Sequence, residues 1–160
     1  MTKYRDNGAV GALLDEYEKS IRELSELLQT VNDDQLVKVV DHETEDQDCR
    51  SIQTIMTHVV SAGYNYSDNI RNKYVSEVEY KKKELKNTIR EYKSALIDMF
   101  AYAEKLFLEN PNLPIEEGDI DNKMHVSWGQ SYDIEQLMEH AIVHILRHRR
   151  QIERFLMKMQ

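Results

Sequence analysis

Both prolines of this 160-residue chain, Pro111 and Pro114, stand in one short stretch, Asn110-Pro111-Asn112-Leu113-Pro114, and five glycines are spread over the whole sequence. Proline lacks a backbone donor and excludes the preceding residue from helical geometry, so a helix must end at such a pair. Elsewhere the chain carries few of the residues that interrupt helices, and Glu, Lys, Leu and Ala are plentiful. That balance commits the chain to long helices joined by few loops.

Apolar spacing places those helices. Leu13, Leu14, Tyr17, Ile21, Leu24, Leu28 and Val31 recur every three or four residues and predict an amphipathic helix over Val10 to Val31, interrupted by Asn32-Asp33-Asp34. The acidic run from Asp41 to Asp48 has no periodicity and reads as a solvated connector, although a carboxylate from it could reach a metal. Ser51 caps a second helix from Ile52 to Tyr74, whose stripe is Ile52, Ile55, Val59, Ala62, Tyr66 and Ile70. His58 lies about 60° around the axis from Ile55, at the edge of the buried face. Ser61, Ala62 and Gly63 are small enough to let a neighbouring helix come close. A third helix is predicted from Val78 to Glu109: Lys81 to Lys86 form a charged, solvated face, then Ile89, Tyr92, Leu96, Met99, Phe100, Ala103 and Phe107 form the stripe. After an irregular stretch from Ile115 to Gln130, which holds His125 and the sole tryptophan, Trp128, a fourth helix begins at a Ser131 or Asp133 cap. Trp128 could form a wall over a site at the bundle end or plug the end of the core. The last helix runs through Ile134, Leu137, Met138, Ala141 and Ile145 to Phe155 and Leu156. Ile142 and Leu146 fall on its other side and ask for a further neighbour or a second copy of the chain. Four such helices make an all-α four-helix bundle the expected architecture, as one domain over residues 1–160.

Several function classes are disfavoured at once. The net charge of −8 argues against nucleic acid as the main partner. No apolar run reaches the roughly 18 residues that a membrane-spanning helix needs. Met1-Thr2-Lys3-Tyr4-Arg5-Asp6 lacks the apolar core of a signal peptide. With Cys49 alone and no internal disulfide open to it, the expectation is a cytoplasmic protein. Gly-rich phosphate loops, a Gly-x-Ser-x-Gly elbow and His-Glu-x-x-His are all missing.

The chemistry rests on histidines. His140, His144 and His148 follow one another at four-residue steps, each drifting only about 40° around a helix, and so lie in the stripe of Leu137, Ala141 and Phe155. An unpaired polar ring facing a core is costly, and a metal ion can satisfy several rings together. The di-iron site familiar in helix bundles needs Glu-x-x-His pairs, and no histidine here has an acidic residue three positions before it. What remains is a pair at i, i+4, His144 and His148, with His58 from another helix: three neutral imidazoles that leave positions open, as in catalytic sites. Zinc or nickel suits such ligands, with iron, cobalt and manganese also open. The ordinary alternative is that these rings are satisfied in the core or at its rim.

The segment His140-Ala-Ile-Val-His144-Ile-Leu-Arg-His148-Arg-Arg-Gln151-Ile152 resembles the last-helix signature of the DinB-like superfamily, also described with the YfiT-like metal-dependent enzymes. In that family a helix-two histidine and a His-x-x-x-His pair before an Arg-Gly-Gln-Ile-like tail bind a divalent metal. Here Arg150 replaces the frequent glycine. His144 and His148 match the pair, and His58 within Thr54-Ile55-Met56-Thr57-His58 matches the helix-two ligand. His140 is open to an alternative assignment with His144; the tail favours His144 and His148. His140 and Gln151 are then the residues expected to hydrogen-bond around the ligands, and Tyr64 or Tyr66 could bring a phenol nearby, although both suit core packing. The resemblance implies an up-down-down-up order with a long crossover, frequently a homodimer, and an activity as a thiol-dependent S-transferase or isomerase acting with a low-molecular-weight thiol on a small electrophilic molecule. A metal-activated water would instead make it a hydrolase. The competing expectation is a non-enzymatic dimeric stress-response or structural bundle with a vestigial or sensory metal site.

Overall fold

A computed structural model describes residues 3–160. Within them lie five α-helices: α1 (Gly8–Leu28), α2 (Asp33–Val37), α3 (Ile52–Tyr74), α4 (Ile89–Glu109) and α5 (Ile134–Met159). The four long ones pack α1 against α4 and α5, and α3 against α4 and α5, around a shared core. The predicted stripes supply that core: Leu14, Tyr17, Leu24 and Leu28 of α1, Ile52, Ile55, Val59 and Ile70 of α3, Tyr92, Leu96, Met99 and Leu106 of α4, and Leu137, Ala141, Ile145 and Ile152 of α5.

Caps decide where the helices begin. Ser51 accepts from the Thr54 N–H, Thr88 from Glu91, and Asp133 from Gln136, each with the reciprocal side-chain bond of a capping box. Asp133 therefore starts α5, and Ser131 pairs instead in a short antiparallel hairpin of β1 (Met124–His125) and β2 (Ser131–Tyr132). Gly129 turns that hairpin at φ 87°, a left-handed conformation open to glycine, directly after Trp128.

Two expected boundaries change. The first helix ends at Leu28, because Asn32 caps the short α2 through its own box with Gln35. The third helix was expected from Val78 and starts at Ile89. Its first part has charge but no apolar stripe to bury, so nothing pays for ordering it as helix. Residues 75–88 instead run back along α3: Asn72 Oδ1 accepts from Val78 N–H near the end of α3, and Gln53 Nε2 donates to Lys86 O near its start. The Tyr92 hydroxyl then accepts from Lys86 N–H and donates to Gln53 O, locking α4 to the first turns of α3. Gly63 lets the helices close further on, since a Cβ there would lie 2.1 Å from Met99 Sδ and 3.0 Å from the Tyr17 hydroxyl.

Candidate metal centre

The α3–α5 contact carries the histidines. His58 stands at the rim of α3 with its side chain 30% exposed, while His144 and His148 are 7% and 5% exposed on α5. The four-residue step stacks the α5 rings, and both face His58. Nε2 of His144 is 2.8 Å from Nε2 of His58 and 3.1 Å from Nε2 of His148. One ligand nitrogen from each residue lies within 4.8 Å of the others, the cluster of potential metal-ligating groups among the described residues. Nitrogens about 2.1 Å from a common ion and at right angles to each other would be about 3.0 Å apart, so the spacing fits three ligands on one face of an ion.

The other ring nitrogens explain why two of these, His58 and His148, point inward. Asp48 Oδ2 lies 3.3 Å from His58 Nδ1, and Gln151 Oε1 lies 3.0 Å from His148 Nδ1. Gln151 Oε1 also faces the Cys49 thiol at 3.9 Å, which agrees with its being the acceptor. An acceptor at Nδ1 holds the proton there and leaves the Nε2 lone pair free. His58 and His148 thus aim lone pairs at His144, whose single Nε2 can donate to only one of them. Ring nitrogens this close could together hold a cation.

The protonation states agree. Burial, then the neighbouring His148 and His58, lowers His144 to about 2. Burial and then His58 lower His148 to about 4. His58 is also lowered, chiefly by burial, against the opposing pull of Asp48. All three rings are neutral at neutral pH, the form that binds metal.

A cavity of about 400 Å³ opens beside the cluster, lined by His58, His140, His144 and His148 together with Cys49, Tyr66, Lys83, Trp128 and Arg147. His140 is not in the converging set: its ring stacks on Trp128 at 5.6 Å, and its Nδ1 is 3.2 Å from the Tyr132 hydroxyl. Trp128 is 42% exposed and forms a wall of the cavity instead of plugging the core. Tyr66 packs edge-on to His140, His144 and Trp128, and burial raises its hydroxyl pKa. Tyr64 lies elsewhere, against Tyr102 and beneath Lys81. His125 is exposed and bonds Ser131. A larger cavity, about 520 Å³, surrounds Arg5 near the chain start, where Asp15, Glu18 and Glu104 bind the guanidinium. It contains no such cluster of ligating groups, so chemistry, not size, picks the smaller one.

Sequence reasoning passed over Asp48, Lys83 and Arg147. Asp48 belongs to the stretch expected to be a solvated connector, yet it contacts His58, and Lys83 from the 75–88 connection donates to it at 2.5 Å. The signal was the acidic run itself, immediately before the helix that carries His58. Cys49 sits next to it, and burial raises its thiol pKa, which keeps it protonated.

No described helix is long and apolar enough to cross a membrane. A family model described as "DinB family" matches residues 4–159. No curated protein matches the chain.

Proposed function

The chain belongs to the DinB family, and on that premise we propose that it is a divalent-metal-dependent enzyme acting on a small electrophilic molecule. The ligands are His58, His144 and His148, and the reaction is thiol-dependent S-transfer, with hydrolysis as the variant in which water replaces the thiol. One observation carries this reading: three imidazoles held neutral by burial, two of them with Nδ1 engaged, converge through Nε2 beside an open cavity. Zinc or nickel suits an all-imidazole set. Bound there, a divalent ion supplies Lewis acidity that lowers the pKa of a coordinated thiol or water.

The chain's own residues do the rest. Asp48 and Gln151 fix the ring orientations from behind, and Trp128 and Tyr66 shield one side of the cavity from solvent. Cys49 is protonated at neutral pH, which favours an external low-molecular-weight thiol over the chain's own sulfur as the nucleophile. We place the protein in a reducing cytoplasm, where that lone thiol stays free. The four long helices form one domain in up-down-down-up order, a reading supported by the return of residues 75–88 along α3 and by the bonds between the first turns of α3 and α4. Val143 and Leu146 are exposed on α5, where a second copy of the chain would pack as a homodimer.

Metal analysis of the full chain is the test. About one divalent ion per chain is expected after reconstitution, with loss in His144→Ala; no stoichiometric metal at any stage refutes the reading. The lining groups able to act as a base are engaged: Asp48 by His58 and Lys83, Asp46 by the Asp48 N–H, and His140 by Trp128 and the Tyr132 hydroxyl; this favours the second reading, a non-enzymatic bundle with a sensory site. Metal-dependent conversion of chlorodinitrobenzene with a small thiol decides between the two.

A further inference from the structure

We infer that the cavity takes a small carboxylate-bearing molecule, its anionic end held by Arg147 and its apolar body lying against Trp128. This rests on the reading of the same cavity as a metal-dependent site, and it names the class of molecule handled there. Arg147 lies between His144 and His148 in sequence, is exposed and lines the cavity, and it forms no ion pair or side-chain hydrogen bond among the described residues. The other cation of the lining, Lys83, is held by Asp48, and Arg149, outside the lining, binds Glu23 and Glu153. A guanidinium presents a planar fork of donors that matches a carboxylate in two parallel bonds.

Charge points the same way. Two carboxylates of the lining, Asp46 and Asp48, are offset by Lys83 and Arg147, so a dication on the three histidines leaves the cavity positive. A neutral occupant would leave that charge uncompensated in a partly enclosed space, whereas an anion relieves it. Because the whole chain has a net charge of −8, an anion reaches this place through local recognition, not through general attraction. Trp128, half-exposed and backed by His140, offers an apolar surface within the same cavity.

Trp128 is the sole tryptophan, so its fluorescence reports occupancy directly. The zinc-loaded and metal-free full chain would each be titrated with hydrocinnamate and with benzylacetone, its uncharged counterpart of the same shape. Hydrocinnamate is expected to give a saturable change and to bind at least about tenfold more tightly than benzylacetone. Arg147→Gln should remove that preference while zinc content stays at the wild-type level, and Arg147→Lys should keep part of it. Equal binding of the two probes, or an unchanged preference in Arg147→Gln, overturns the inference. Zinc content, measured separately, shows whether the metal reading failed instead; in that case the preference is read from the metal-free chain and decides the inference by the same criteria.

Discussion

Acidifying the metal-free protein should destabilise it through His144 and His148. Both rings are buried, and their pKa values are lowered from 6.5 to about 2 and about 4. An unfolded chain titrates near the ordinary value. Above it the rings are neutral in both states and stability does not depend on them. Below it the unfolded chain takes up protons that the fold refuses, so stability falls as pH drops from about 6.5, until about 4 for His148 and about 2 for His144. At about pH 5 the unfolded rings are almost fully charged and the folded ones are not, which costs about 2 kcal/mol each. Together that is about 4 kcal/mol, a large part of the roughly 5–15 kcal/mol of a typical domain. Urea unfolding in a chelator, followed by circular dichroism at about pH 7.5 and about pH 5, measures the loss. The double substitution His144→Leu and His148→Leu keeps the positions apolar and removes the titration. Wild type should lose about 4 kcal/mol more than this variant on acidification. Equal losses in the two proteins would refute the assignment of buried neutral rings.

Three further outcomes follow from the same geometry. Asp48→Asn removes the charge that orients His58 and should weaken zinc binding about tenfold or more, read by competition with a coloured chelator; an unchanged affinity would mean that the 3.3 Å contact does not tune the ligand. Gly63→Ala places a methyl 2.1 Å from Met99 Sδ and 2.7 Å from its Cγ, and should destabilise the fold by about 1–3 kcal/mol with a lower Tm. An unchanged Tm would contradict the close approach of α3 to α4. Zinc at about a hundred times its Kd should add about 2.7 kcal/mol of stability to the wild type and nothing to His148→Ala, as measured by thermal unfolding.

What the sequence makes legible here is whatever repeats with a helix period. The stripes of all four long helices, the Ser51 cap and the shared face of His144 and His148 follow from spacing, because side chains three and four residues apart share a face; His58, on another helix, was named from its place at the edge of a buried stripe and from the family resemblance. Gln151 was reachable by the same angle. Asp48 and Lys83 were not, since each arrives from a segment without periodicity and meets the site only through tertiary folding. The 75–88 segment shows the limit from the other side: a run of Lys and Glu has good helix propensity, but no apolar face holds it in a helix. Arg147 was hidden by its place in a run of basic residues, where only the cavity separates it from Arg149 and Arg150.

The returning segment also sets a limit of reach. Residues 75–88 span the 23-residue α3 from its end to its start, a rise of about 35 Å at 1.5 Å per residue. Fourteen residues drawn out fully reach about 46–50 Å, so the tether has only about four residues of slack. Lys83 therefore meets Asp48 at the mouth of the cavity partly because the chain has little room to wander. A deletion of more than about four residues would leave α4 unable to start beside Gln53. Insertions would be tolerated far better in length, yet each would loosen the grip of Lys83 on the carboxylate behind His58. The segment that returns along α3 is thus also a gauge of how firmly the His58 ring is held.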